Sequence, residues 1–431
     1  MKPTKMLVLD PGHFHAALVQ KKMYPQISKR ACVYAPVGYE LVDYLNRITA
    51  FNRRPDHPTD WELEIRASPD FLPQLLQNEP GNVVILAGRS RPKIERIEAC
   101  VNAGFHVLVD KPWIIRSADL SRLSDVLEEA EKKNVVAYDI MTERYEITSI
   151  LQRELVNDRG VFGSLLTGSQ EEPAIFANNV HHIMKMVSGA PIRRPAWFFD
   201  VTVTGEGLAD VGTHVIDLVQ WTAFPNEALD YRRDVALLSA KRWPTSVSQT
   251  QFQQVTGEKD FPQELVSQIN AGVLEFQCNN AVHYTLRGTH VRIRTSWDWK
   301  APEGAGDFYE ASFCGSKSSI QLRQGEAQRY VPELYVVPNS ASVQSEVFEN
   351  LRRKVGELAA HYAGLDLEES SGEMRLIIPD EYRAGHEAHF AQVTEKFFEY
   401  VKSPQTLPAW EKSNMLLKYF ISTTGSEMAH Q

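Results

Sequence analysis

The sequence predicts a doubly wound parallel α/β sheet at the N-terminus, followed by an α+β domain built on a large, mostly antiparallel open sheet. Three observations predict it. Short apolar runs alternate with helix-period segments over the first 140 residues, and from about residue 145 they give way to strands that alternate with period two. The 431 residues also exceed the roughly 250–300 at which a single core stops growing. The expected division is 1–142 for the first domain, 143–385 for the second, and C-terminal helices over 386–431 that pack on both.

In the first domain "KMLVLD" (5–10), "ACVYAP" (31–36), "NVVILAG" (82–88), "HVLVD" (106–110) and "NVVAYD" (134–139) read as strands. Amphipathic segments lie between them. In "SPDFLPQLLQ" Ser68 can cap a helix and Pro69 can take its first position. Ile94, Ile97 and Val101 share one helical face before Gly104, and Leu120, Leu123, Leu127 and Ala130 form the stripe of the next helix. Strands apolar throughout, separated by such helices, imply a sheet covered on both faces.

The second domain opens on a helix, "EITSILQRELVND" (146–158). Strand-like pieces follow, among them "GSLLTGS", "FFDVTVTG", "RDVALLSAKRW", "AGVLEFQCN", "VHYTLRG", "HVRIRTSWDW", "FYEASFCGS" and "SSIQLRQ". "GLADVGTHVIDLVQWTA" (207–223) is helix-like amid them, and the polar stretch 245–265 reads as a loop. Amphipathic segments at 387–403 and 412–429 close the chain.

Composition narrows the function. A net charge of −9 with scattered Lys and Arg gives no footprint for nucleic acid. No apolar run reaches the roughly 18–20 residues of a membrane span. Cys32, Cys100, Cys278 and Cys314 lie far apart without metal-type spacing, which fits a reducing, cytoplasmic setting.

Four stretches carry chemistry. A dinucleotide-binding turn after the first strand needs G-x-G-x-x-G; here the register reads Asp10-Pro11-Gly12-His13-Phe14-His15 and keeps only the middle glycine. The nearest acid after the second strand is Glu40. "GHFH" (12–15) and "HHIMK" (181–185) offer imidazoles but no clear third ligand, so they are read as hydrogen-bonding groups, His181 and His182 toward substrate, and no metal is expected. In "GLADVGTHVIDLVQW", Asp210, His214 and Asp217 fall at i, i+4 and i+7, one face of a helix, where burying them is costly unless they pair or work. Lys111 ends "VLVDKPW" at the C-terminal end of a strand, where doubly wound sheets face their ligands, and Pro112 keeps it out of helical geometry.

"HVLVDKPW" resembles the "HVxxEKP" motif of the glucose–fructose oxidoreductase, inositol dehydrogenase and MocA family, with Asp110 in place of Glu, and "GEGLADVGTHVIDLVQW" resembles its "GGGxxxDxGxHxxDxxxW" segment. The resemblance runs from about residue 6 to 223 and takes in the "TERYE" stretch with Arg144. It implies an N-terminal Rossmann domain, NAD or NADP as cofactor, and a sugar, inositol or related polyol whose hydroxyl and keto forms are interconverted. Carried over by motif, Lys111 would bond the reacting oxygen, His214 would be the acid/base, and Asp210 would orient substrate or that histidine. The implied cofactor set is Gly12, His13, Phe14, His15, Ala87, Arg89, Asp110, Lys111 and Pro112; the implied substrate set is Lys111, Arg144, His181, His182, Asp210 and His214. A homo-oligomer assembled through the C-terminal sheet is also implied. Two alternatives stand beside this reading: bond cleavage through transient oxidation by retained NAD, and a non-catalytic ligand-binding member.

Overall fold

The computed structural model describes residues 4–78, 81–187 and 190–431. The chain divides into two compact units, one comprising residues 1–142, 202–204 and 385–412, the other 143–201, 205–384 and 413–431.

The first unit holds six parallel strands, β1 (Thr4–Leu9), β2 (Ile27–Ala35), β3 (Glu62–Ala67), β4 (Val83–Leu86), β5 (His106–Val109) and β6 (Ala137–Asp139), in the order β3-β2-β1-β4-β5-β6. Met6–Leu9 and Val83–Leu86 are buried along their whole length, as strands covered on both faces must be. Strand order reverses between β1 and β4, and such switch points open a ligand crevice at the carboxyl ends of the strands. The helices are α1 (His15–Val19), α2 (Tyr39–Arg53), α3 (Phe71–Leu75), α4 (Lys93–Asn102) and α5 (Leu120–Lys132).

Strand β3 and helix α2 escape the sequence reading. "ELEIRA" is an exposed edge strand whose Glu62 accepts from Arg30 at 2.9 Å, so charge hides its period. Helix α3 begins at Phe71 instead of Pro69, because the Ser68 hydroxyl accepts from the Asp70 amide at 3.2 Å in a turn ahead of the helix.

His106 gives this unit an acid-sensitive point. Its ring is buried and Nδ1 accepts the Val136 amide at 3.0 Å, and burial pushes its pKa down to about 4. Below the unfolded value of about 6.5 the unfolded chain binds a proton that the folded chain refuses. Stability is therefore full above pH 6.5 and falls toward pH 4, by up to about 3 kcal/mol. Denaturant titrations of His106→Asn across that range should show a flatter profile than wild type; parallel profiles would contradict this role.

The second unit begins with α6 (Ile147–Val156), whose Glu146 caps the Thr148 and Ser149 amides. Its strands are β7 (Ile175–Met184), the short β8 (Met186–Val187) and β9 (Ala190–Pro191), β10 (Val235–Ser248), β11 (Ile269–Asn270), β12 (Val273–Leu286), β13 (Thr289–Lys300), β14 (Phe308–Cys314), β15 (Ser318–Arg323), β16 (Glu333–Pro338), β17 (Asp366–Ser370) and β18 (Glu373–Ile377). The large sheet runs β10-β12-β13-β7-β14-β15-β16-β18-β17, with β11 paired to β12. Among the described strands its pairings are antiparallel except β13 with β7. Helices α8 (Gly212–Ala223), α9 (Gln249–Thr256) and α10 (Ala341–Leu358) complete the unit with part of the helix Ala409–Met428, while of α7 (Val201–Thr204) only Val201 belongs to it. Leu151, Ile216, Val219, Val282, Ile293, Phe313, Leu351 and Leu417 share its main core.

Three expectations fail here. "FFDVTVTG" is a 3-10 turn at Ala196–Phe199 and then α7, because its aromatic residues serve a separate cluster where Phe199 packs on Phe252 and Phe276. "GSLLTGS" makes only the isolated bridges Leu165–Gly315 and Gly168–Pro173. The supposed loop 245–265 contains the end of β10 and helix α9, which Ser248 and Gln251 start with a reciprocal capping box. Among the described residues no helix is long and apolar enough to cross a membrane, and all four cysteines are free thiols.

Candidate active site

In the first unit the residues expected at a cofactor converge at the carboxyl ends of β1, β4 and β5. Asp10 takes the place of the first fingerprint glycine and adopts that glycine's left-handed conformation, with φ of 47°, which an Asp tolerates better than most residues. Its carboxylate pairs with Arg96. Gly88 must be glycine, since a Cβ there would stand 2.0 Å from Asp10 Oδ2.

Two amides of the turn are spent internally. Gly12 N–H donates to the Asp10 carbonyl and His13 N–H to the Ala87 carbonyl, each at 2.7 Å. Side chains take over the polar work. His13 Nδ1 lies 2.9 Å from Asp110 Oδ2 and His15 Nδ1 lies 3.0 Å from Asp110 Oδ1, so one carboxylate anchors both imidazoles. Burial drives the His15 pKa well below its ordinary value against the pull of Asp110. Burial acts to raise Asp110, but His15 and His13 outweigh it and hold the carboxyl well below the usual range. Phe14 packs beside His13 and His15, under the Arg47 guanidinium. Arg89 donates to Glu40 at 3.0 Å, so the acid after β2 is engaged by the loop after β4.

Lys111 is buried next to Asp110, and the Lys111–Pro112 peptide bond is cis. Lys93, a fully buried lysine that no local pattern marks, donates to the carbonyls of Asp110 and Lys111 at 3.0 and 3.4 Å and fixes the backbone that carries Lys111.

In the second unit the helix expected to carry three polar residues on one face starts only at Gly212, so Asp210 lies in the turn ahead of it. That turn is clamped. The buried Glu206 carboxylate accepts from Asn280 at 2.8 Å and Arg242 at 2.7 Å, and Asn280 accepts the Leu208 amide at 2.9 Å. Gly207 has no room for a side chain, since a Cβ would meet the Cys278 carbonyl at 2.1 Å. Across residues 206–220 only Asp210 and His214 are not fully buried. Those two side chains are what this apolar segment offers to a ligand.

Asp217 is scaffold. It accepts from Arg144 at 2.6 and 2.8 Å and from Lys418 at 3.2 Å. Arg144, expected at substrate, donates through two guanidinium nitrogens to this buried carboxylate. His181 and His182 reach a residue that sequence reading missed: their Nδ1 atoms lie 2.9 and 3.2 Å from the carboxylate oxygens of Asp307, which also accepts from Lys185 at 2.5 Å. Burial acts to raise Asp307, but these groups, His181 foremost, hold it well below its ordinary range. Buried Arg194 donates to the carbonyls of His182 and Ile183 between the rings of Phe198 and Trp297. Burial lowers its pKa to about 10 against the fields of Asp307 and Asp210. No sequence signal marked Asp307, which sits in a glycine-rich loop.

Residues 151–430 match a family described as "Putative oxidoreductase C terminal domain". Among solved structures, a "putative oxidoreductase" from Parabacteroides merdae is 43% identical, with a TM-score of 0.96 over 99% of this chain and 98% of that one. Levoglucosan dehydrogenase, solved with NADH and L-sorbose, is 12% identical with a TM-score of 0.60 over 100% and 97% of the two chains. KijD10, a 3-ketoreductase from Actinomadura kijaniata solved with TDP-benzene and NADP, is 12% identical with a TM-score of 0.56 over 97% and 96%. At these last two identities the likeness is one of fold. A search of the curated proteins finds no match.

Proposed function

Because the chain belongs to the oxidoreductase C-terminal domain family, we propose that it is an NAD(P)-dependent oxidoreductase of the glucose–fructose oxidoreductase, inositol dehydrogenase and MocA type, interconverting a hydroxyl and a keto group on a sugar or polyol. The observation that carries this reading is the set of groups at the carboxyl ends of β1 and β5, where a doubly wound sheet holds its ligand: two anchored imidazoles and Lys111. The fold relatives with NADH and NADP support it.

The residues present suit a dinucleotide whose phosphates meet side chains more than amides. Arg89 supplies donors, and Gly12 has no side chain to hinder close approach. A nicotinamide held by these residues would supply the hydride chemistry. The protein's own residues handle the proton and the charge. Lys111 places an ammonium beside the reacting oxygen and stabilises its developing negative charge. His214 takes the hydroxyl proton during oxidation and returns it during reduction, and an imidazole is suited to both near neutrality. Asp210, one helical turn earlier in a clamped loop, orients the substrate hydroxyl or that imidazole. Native mass spectrometry of the purified protein, with and without added NADH or NADPH, tests the premise: one nucleotide per chain is expected.

A further inference from the structure

We propose that His13, His15 and Asp110 form a binding site for one divalent transition-metal ion, which in turn accepts the cofactor's pyrophosphate oxygens; the second half of this proposal rests on the dinucleotide reading, the first does not.

The sequence offered two imidazoles in "GHFH" and no third ligand. The fold supplies it. Asp110, 95 residues beyond His15, brings one carboxylate oxygen to each ring, and a ligand atom from each of the three residues lies within 4.8 Å of the others. Metal–nitrogen and metal–oxygen bonds of about 2.0–2.2 Å put neighbouring ligand atoms roughly 3.0–3.4 Å apart, so the observed 2.9 and 3.0 Å spacings need only small adjustment. Two histidines and one carboxylate suit zinc, iron(II), manganese or cobalt, and such a trio leaves coordination positions open. The exposures place that opening: the side chains of His15 and Asp110 are 8% and 4% exposed, that of His13 30%.

The ion would answer a need that the turn itself creates. Pyrophosphate normally rests on glycine-turn amides and a helix N-terminus. Here the Gly12 and His13 amides are already donated, and α1 has only five residues. A dication paired with one carboxylate carries net positive charge, and the nearby cations Lys93, Lys111 and Arg96, the last balanced by Asp10, do nothing to reduce it. The ion should therefore bind weakly alone and more tightly with an anion on its open side, and the coupling is reciprocal.

The test uses the whole chain stripped by a chelator. Calorimetric titration with Zn²⁺ and Mn²⁺, and the visible spectrum on adding Co²⁺, should show one ion per chain with nitrogen ligation. His13→Gln, the more exposed position, should weaken the ion at least tenfold with the fold intact by circular dichroism; His15→Gln repeats the test at the buried ring. NADH should bind at least tenfold more tightly with Zn²⁺ or Mn²⁺ than with EDTA. Silence toward all three ions, with and without NADH, overturns the proposal, and so does ion binding that both variants leave unchanged. NADH affinity indifferent to the ion overturns the pyrophosphate half. If NADH fails to bind under every condition, the dinucleotide reading falls, while the ion titration still decides the site.

Discussion

Lys111→Ala should lower turnover by roughly 10²–10³-fold, the scale on which enzymes lose a preorganised donor to a developing oxyanion. The loss should fall on kcat, because Lys111 acts most strongly where charge develops. Lys111 is buried, on a backbone whose carbonyls at Asp110 and Lys111 are held by Lys93. His214→Asn should cost roughly 10²–10⁴-fold as the loss of a proton acceptor. Both variants should keep the wild-type far-ultraviolet spectrum, since His214 is only partly buried and Lys111 lies beyond the end of β5. Steady-state rates on any sugar or polyol that wild type turns over provide the comparison. Full activity in either variant would remove that residue from the reaction.

Asp217→Asn should destabilise the second unit by about 3–5 kcal/mol, the cost of leaving buried charges without their counter-ion. Arg144 and Lys418 both depend on it, and all three side chains are almost wholly shielded from solvent. Burial acts to raise the Asp217 pKa, yet the two cations outweigh it and bring it to about 2. A carboxylate with a depressed folded pKa contributes its stability above the unfolded value of about 3.8 and loses it as pH falls toward 2. Chemical denaturation at neutral pH and on acidification reads both effects. A variant as stable as wild type would mean that the triad's attraction only offsets its desolvation.

The parallel sheet was legible because its strands are apolar on both faces and its helices carry clear stripes, as with Leu120, Leu123 and Leu127. Where chemistry and pattern mix, legibility fails. Strand β7 carries Asn178, Asn179, His181 and His182, so its period-two signal is drowned by the side chains that give it interest. Edge strand β3 is masked by Glu62, Glu64 and Arg66. Lys111, Asp210 and His214 could be picked out from strand ends and spacing. Their supports could not, because Lys93, Asp307 and Glu206 each act on residues far away in the chain and no local pattern marks them. Arg144 was legible only as a motif neighbour of the proposed site; its ion pair with Asp217, 73 residues away, was not. The same distance effect separates "GHFH" from Asp110, 95 residues beyond His15, which the fold brings beside both rings.

The central claim is that this chain holds a nicotinamide dinucleotide on the turn after β1 and the loop after β5. Native mass spectrometry, with the released species identified after denaturation, tests it most directly. NAD(H) or NADP(H) is expected at one per chain, either carried through purification or taken up on addition, and lost in Lys111→Ala combined with His13→Gln. A protein that neither releases nor takes up either nucleotide would contradict it.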